Sequence, residues 1–346
     1  MIDPKIYDYE LPAEQVAQTP ASPRDSSRLF IYDTALDLIQ FDTFNNLAKY
    51  LPKESLLVLN KTKVIPSRIT LYKENKGRVK CLFLVNELKN KVVNAMLDRK
   101  VEIGQSLQFD DNFRFKVIGQ DEHVFTLAFD FPKEKFINLL ERKGSMPIPP
   151  YLKHTELKES ELRRKYQTIF AKDNGSAAAP TASLHFTQRV FNKLEEKGIQ
   201  KTFVKLHVGA GTFAPLLEKN LVEGKLHTEW FEVTQKTADS INKAKTQGSK
   251  IVAVGTTVAR TLETASDGKE MKGRSGETDI FIYPPYTFKT VDILLTNFHV
   301  PKSSLMMLVD ALLQNKKAKR NIIELYSTAI KERFRFFSFG DAMLIL

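Results

Sequence analysis

Arg68-Ile69-Thr70-Leu71-Tyr72, Val79-Lys80-Cys81-Leu82-Phe83-Leu84-Val85 and Phe113-Arg114-Phe115-Lys116-Val117-Ile118 decide how this 346-residue chain is built. With Lys91–Leu97, Ser106–Phe109 and His123–Phe129 they make six short runs rich in Val, Phe, Leu and Ile. Turn signals separate them: Asn75-Lys76-Gly77, Asn86-Glu87, Gly104, Asp110-Asp111-Asn112 and Gly119. Six strands without an intervening helix predict an all-β sandwich or barrel of their own. A helix is expected over Lys133–Arg142, with Phe136, Leu139 and Leu140 on one face and Gly144 as its stop.

On either side of this segment the pattern changes. Thr187 caps a predicted helix carrying Val190, Phe191 and Leu194, and Gly198 stops it. Strand Ile199–Val208, a helix from about Thr234 to Gly248, strand Lys250–Val254 and helix Val258–Glu263 follow. Strands Asp279–Tyr283 and Val291–Asn297 precede helices Ser304–Gln314 and Arg320–Ile330. Such alternation predicts an α/β domain with a largely parallel sheet. Strands Arg28–Tyr32 and Leu56–Asn60 belong to the same unit, so residues 1–66 and 146–346 form the α/β domain. Residues 67–145 are its barrel-like insertion.

Composition bounds the function. With 42% apolar and 27% charged residues the chain is expected to fold throughout. A net charge of +11 points to a polyanion, and nucleic acid is favoured over a membrane. No apolar run approaches the ~20 residues of a spanning helix, and the N-terminus lacks a signal-peptide pattern. Cys81 is the only cysteine, expected as a buried inert thiol in a reducing cytosol. The six histidines are scattered without metal-ligand spacing, so no metal is expected.

Four loops at strand ends combine small and polar residues, where α/β sheets place ligands. Gly175–Thr187 holds three consecutive alanines, Thr181 and His185; Leu206–Phe213 holds His207, Gly209, Gly211 and Thr212. Val254-Gly255-Thr256-Thr257 leads into a helix whose free N–H groups suit an anion or a nucleobase edge. Gly276-Glu277-Thr278 and Thr296-Asn297-Phe298-His299 make the fourth, in which Glu277, Asn297 and His299 can converge. Basic residues cluster at Arg163-Arg164-Lys165 and at Lys316-Lys317-Lys319-Arg320, each beside aromatics that suit phosphate contact and base stacking in RNA.

Together these segments resemble one family from end to end. Tyr7–Pro12, Val16–Pro20 and Arg24-Asp25-Ser26-Ser27-Arg28-Leu29 look like the N-terminal signature of the ribosyltransferase-isomerases of queuosine biosynthesis. Met146–Tyr151, Tyr166-Gln167-Thr168, Ala178–Thr187, Leu206–Phe213, Val252–Glu263, Phe281–Tyr286, Leu294–Leu308 and Phe336–Leu344 continue the likeness in order. Ser183 and Pro285 depart from it, standing where glycine belongs, and Phe170 replaces a tyrosine.

The resemblance implies an α/β fold with an inserted barrel and a cytoplasmic enzyme without metal or redox cofactor. It implies transfer and isomerisation of the ribosyl moiety of S-adenosylmethionine, as co-substrate, onto 7-aminomethyl-7-deazaguanine at the wobble position of tRNA. Adenine and methionine leave, and the product carries an epoxycyclopentane. The acid–base steps call for groups near neutral pKa, so His185, His207, His227 and His299 are the catalytic candidates. Arg28, Tyr166, Gln167, Thr181, Gly209, Gly211, Thr212, Thr256, Glu277, Tyr283 and Asn297 are the substrate-binding candidates. Arg163, Arg164, Lys165, Lys316 and Lys317 are expected on tRNA. Phe186, Phe213, Tyr283 and Tyr286 are candidates to face the sulfonium.

Two other readings remain open at this point. One is a Rossmann-type RNA methyltransferase, with Val208–Thr212 as its glycine-rich loop and Glu232 as its ribose contact. The other is a non-catalytic tRNA-binding protein.

Overall fold

The computed structural model describes residues 3–209 and 216–346. Its strands are β1 (Arg28–Asp33), β2 (Leu38–Thr43), β3 (Leu56–Asn60), β4 (Thr62–Val64), β5 (Arg68–Lys73), β6 (Arg78–Lys89), β7 (Val92–Leu97), β8 (Ser106–Asp110) and β9 (Phe113–Asp121). They continue as β10 (Val124–Ala128), β11 (Asp173–Ser176), β12 (Gln200–His207), β13 (Lys225–Val233), β14 (Ile251–Val254), β15 (Arg274–Ile280), β16 (Ile293–Asn297) and β17 (Ala342–Ile345). The helices are α1 (Leu47–Tyr50), α2 (Lys133–Lys143), α3 (Glu159–Lys165), α4 (Gln188–Glu196), α5 (Glu218–Glu223), α6 (Gln235–Thr246), α7 (Thr256–Ala265), α8 (Ser304–Asn315) and α9 (Ile322–Lys331).

One sheet has the order β15-β13-β12-β3-β14-β16-β17-β1-β2. Its middle strands β12, β3, β14 and β16 are mutually parallel. They alternate Val, Leu and Ile on both faces because both faces are covered. Val58, Ala253 and Leu294 pack under α6–α9 in one core, while Leu57, Leu59, Val252 and Leu295 pack under α1 and α4 in another.

The sheet is mixed rather than largely parallel. The last strand, β17, enters its interior, antiparallel to β16 and parallel to β1, with Leu344 opposite both Leu295 and Ile31. All four of its residues are fully buried. Asp341, just before it, accepts from the backbone N–H groups of Arg28 (3.0 Å) and Arg335 (2.8 Å) and pairs with the Arg335 guanidinium.

The strand predicted at Asp279–Tyr283 lies at Arg274–Ile280 instead, because its partner is β13. Phe281 and Ile282 are apolar for burial in the core rather than for a ladder, and Pro284 and Pro285 have no N–H to offer one.

Strands β5–β10 close into an antiparallel barrel in the order β10-β7-β6-β5-β8-β9. Phe83, Phe115 and Phe125 fill it, and Phe129, Phe131 and Phe136 stop one end, ring centroids 4.7–5.8 Å apart along the chain of contacts from Phe83. Cys81 is buried inside, where loss of solvation pushes its thiol well up. Helix α2 seals the barrel with Phe136, Leu139 and Leu140. Gly144 ends that helix without a left-handed turn. A Cβ there would meet the Pro66 carbonyl oxygen at 1.8 Å, so close backbone approach requires the glycine.

Gly144→Ala is therefore expected to cost ~1–3 kcal/mol of stability or more in denaturant titration, through overpacking. Gly119→Ala, whose Cβ would find ordinary contact at 3.6 Å, serves as the control and should change it by less than about 1 kcal/mol.

Candidate active site

The parallel strands β12, β3, β14 and β16 end together at His207, Asn60, Val254 and Asn297. A cleft opens at this carboxyl edge. Gly255 turns the chain from β14 into α7 with φ +89°, and Gly255, Thr256 and Thr257 line the cleft with no side chain capping the helix. Facing them is the small-residue run Ala178–Ala182, which includes Thr181. Tyr151, Tyr166, Phe298 and Phe337 give the cleft aromatic walls.

A buried ion pair forms its floor. Arg260 of α7 meets Glu229 of β13 through Nη1 and Oε2, with 8% and 3% of the side chains exposed. The other Glu229 oxygen accepts the Gly209 N–H at 3.0 Å, and Arg260 Nε donates to the Ile280 carbonyl at 3.3 Å. Arg260 Nη2, Thr257 Oγ1 and Asn297 Oδ1 are buried without a partner among the described residues. Buried polar groups are rarely left so, and three around one cleft mark where a polar ligand belongs.

His299 lines the cleft, its Nε2 2.9 Å from Thr296 Oγ1. Its backbone is clamped, the N–H donating to the Tyr326 hydroxyl at 2.8 Å and the carbonyl accepting from Tyr9. Asn297 Nδ2 donates to the Phe337 carbonyl (3.4 Å) and faces His185 Nε2 at the same distance. The other ring nitrogen of His185 lies 2.8 Å from Ser27 Oγ, so His185 reaches the cleft through Asn297. Burial pushes His185 down to about 4 and His299 down to about 3, so both rings are neutral at pH 7.

The model of the family described as "Queuosine biosynthesis protein" matches residues 5–345. The chain belongs to that family. It is 42% identical to the S-adenosylmethionine:tRNA ribosyltransferase-isomerase of Carboxydothermus hydrogenoformans, over 99% of each chain. The relative of that name from Clostridioides difficile is also 42% identical, over 98% of each. The crystal structure of S-adenosylmethionine tRNA ribosyltransferase from Thermotoga maritima, 34% identical, matches 98% of this chain and 99% of that one with a TM-score of 0.55.

Other candidate residues of this queuosine-family chain lie apart from the cleft. His207 projects from the opposite face of the sheet, its Nδ1 2.8 Å from Thr62 Oγ1 and its ring stacked on Trp230 (5.3 Å, 18°). His227 and Glu277 line a second cleft, between barrel and sheet. Gln167 spends its amide on both backbone groups of Val64, and Arg28 lies 3.8 Å over Phe334 while donating to the Glu332 carbonyl. Tyr283 packs on Phe281, Phe186 on Phe191, and Tyr286 donates to Glu263. Gly211, Thr212 and Phe213 are outside the described residues.

The two basic clusters also separate. Arg163 is tied to Glu159 and to the carbonyls of Glu141 and Gly144, and Lys165 sits 3.5 Å from Glu161, whereas Arg164 is exposed. Lys316 donates to the Asp292 carbonyl at the start of β16, the edge of the sheet away from the cleft.

The methyltransferase reading loses its structural basis. A dinucleotide-type loop passes from a strand into a crossover helix, but β12 is followed in the sheet by its antiparallel neighbour β13. Glu232 pairs with Lys205 on that strand. Glu229, Arg260 and Trp230 are not among the candidates read from the sequence, although Arg260 lies in the family-like stretch Val252–Glu263. Their only signal is a lone arginine in the otherwise small and apolar start of α7.

The pH dependence of stability follows from the two neutral rings. An unfolded histidine takes up its proton near 6.5, so their contribution is whole above that value and is lost as pH falls toward 4. In His185→Gln the melting temperature should decline less steeply between pH 6.5 and 4 than in the parent. Equal slopes would mean that the folded protein protonates this ring readily.

Proposed function

We propose that this chain transfers and isomerises the ribosyl moiety of S-adenosylmethionine onto 7-aminomethyl-7-deazaguanine at the wobble position of tRNA. In this reading it works in the cytoplasm, uses no metal, and yields the epoxyqueuosine nucleoside, adenine and methionine. One observation carries the assignment of the co-substrate: Arg260 Nη2, Thr257 Oγ1 and Asn297 Oδ1 stand without partners among the described residues around one aromatic-walled cleft. The family membership and the names of its relatives support the reaction.

S-Adenosylmethionine has parts that match this cleft. Its carboxylate suits the free Arg260 N–H and the uncapped start of α7. Its sulfonium suits the faces of Tyr151 or Phe337, where cation–π attraction is worth ~0.5–2 kcal/mol. Hydrogens on the carbon beside the sulfonium are acidified by that charge, and a neutral His299 is in the form that accepts a proton. His185 acts as a positioning residue, holding Asn297. Having taken that proton, His299 is an imidazolium that burial makes readily acidic, so the same proton passes on to adenine as it leaves.

With labelled S-adenosylmethionine and tRNA bearing the aminomethyl base, adenine and methionine should appear in equal amounts; S-adenosylhomocysteine would instead signal methyl transfer. Thr257→Val, which keeps the shape and removes the partnerless hydroxyl, should raise the KM for S-adenosylmethionine by about three- to tenfold with the fold intact. An unchanged KM would remove that hydroxyl from the site.

For tRNA, exposed Arg164 and neighbouring Lys165 are the phosphate-binding residues favoured here. Replacing both with alanine should flatten log K against log salt by roughly 0.7–0.9 for each phosphate that is no longer neutralised. The pair Lys316→Ala and Lys317→Ala, at the far edge of the sheet, should leave the slope nearly unchanged. The opposite pattern would put the tRNA on that far edge.

A further inference from the structure

The second cleft lies between barrel strands β6, β7 and β10 and sheet strands β13 and β15. It is lined by Asn86, Glu87, Asn94, His227, Trp230 and Glu277, among others. Trp230 is held as a flat wall. His207 stacks on it, Thr62 fixes that imidazole, and Gly175, at φ +151°, leaves room for it: a Cβ there would lie 3.0 Å from three ring atoms.

Glu87 is equally well placed. Thr126 Oγ1 donates to Asn94 Oδ1 at 3.0 Å, and Asn94 Nδ2 donates to Glu87 Oε2 at 2.9 Å, a chain crossing three barrel strands. That fixes the carboxylate while Oε1 lies 3.3 Å from where a Cβ on Gly209 would stand. Gly209 is bonded to Glu229, which lines the first cleft. Asn86 Oδ1 and His227 Nε2 are buried without partners among the described residues. Burial, and then the nearby Glu229 and Glu277, push the Glu87 carboxyl upward, against the pull of Asn94 and Asn86.

The cleft carries Glu87, Asp121 and Glu277 against one cation among the described residues, Lys89, which pairs with Glu277 at 3.6 Å; such an acidic lining is out of character for a chain of net charge +11. It would repel phosphates and attract a group rich in N–H donors. A deazaguanine offers N1–H and the 2-amino group on one edge and a cationic aminomethyl on the other. A base reached by an enzyme must also leave its stack, and a partner ring replaces that stacking.

We infer that this cleft receives the extruded wobble base, its ring against Trp230 and its cationic aminomethyl group on Glu87. The inference rests on the proposed function and gives that reaction its second substrate site. The aminomethyl nitrogen then lies toward Gly209, beside the first cleft.

Trp230 is the sole tryptophan, so its fluorescence reports the cleft directly in the unaltered protein. An anticodon stem-loop RNA carrying the aminomethyl base should quench it by about half, and one abasic at that position by about a tenth or less, both at saturation followed by anisotropy of labelled RNA. Equal quenching overturns the inference. Glu87→Gln should weaken binding of the aminomethyl stem-loop about tenfold and of the guanine stem-loop less, with S-adenosylmethionine binding and melting temperature unchanged. Equal losses, or none, overturn it as well. Binding and quenching need no turnover, so wild-type adenine release judges the proposed reaction separately: a protein that releases adenine yet quenches equally keeps its function and loses only this site.

Discussion

The contact between Arg260 and Glu229 constrains the centre of this molecule more than any other. Bringing two charges out of water costs several kcal/mol for each, which only close pairing and further hydrogen bonds offset. Here those bonds come from the Gly209 N–H and the Ile280 carbonyl, so one ion pair ties α7 to β13, to the end of β15 and to the loop that leaves β12. Removing either partner would strand the other charge in the interior. The same pair leaves one guanidinium nitrogen without a partner among the described residues.

A second buried carboxylate steadies the opposite wall. Glu263, one turn further along α7, accepts the backbone N–H groups of Lys289, Thr290 and Val291 at 2.8–3.1 Å. These residues lead into β16, whose far end supplies Thr296, Asn297 and His299. Helix α7 thus fixes two sides of the cleft with charged groups that never reach solvent. Beyond Gly209 the barrel adds its own polar chain, and catalytic candidates that are distant in sequence divide between the two faces of one sheet edge.

Charge is distributed in keeping with a polyanionic partner, though many of the basic side chains are already engaged. Arg163 braces the junction of α2 and α3, Arg335 pairs with Asp341, and Lys205 pairs with Glu232. Net charge therefore describes the field around the protein better than any single cluster describes a contact surface.

The β-rich segment was legible because closed barrels need only local signals: apolar runs, turn residues and short connections. The resemblance to the queuosine family was equally legible, since it rests on residue identities in order along the chain. The helices α4, α6 and α9 were marked by caps and by one apolar face, and α8 by a cap and an apolar run that is buried on all sides. Strands β13 and β17 were not. The first carries Lys225, Glu229 and Glu232, whose charges are absorbed by Asp279, Arg260 and Lys205, and the second is four residues long and takes its place between β1 and β16, far from it in the chain. Which histidine faces which cleft was likewise undetermined, because a strand sends alternate side chains to opposite faces and only the packed sheet says what lies on each. Residue identities and local pattern were thus enough for the class of fold, the family and the segments that form the site. It took the packed structure to bring Glu229 against Arg260, to stand His185 behind Asn297, and to put Trp230 and Glu87 in one cleft. Those are encounters between residues far apart in the chain, and pairing of that kind is set by packing and burial rather than by local pattern.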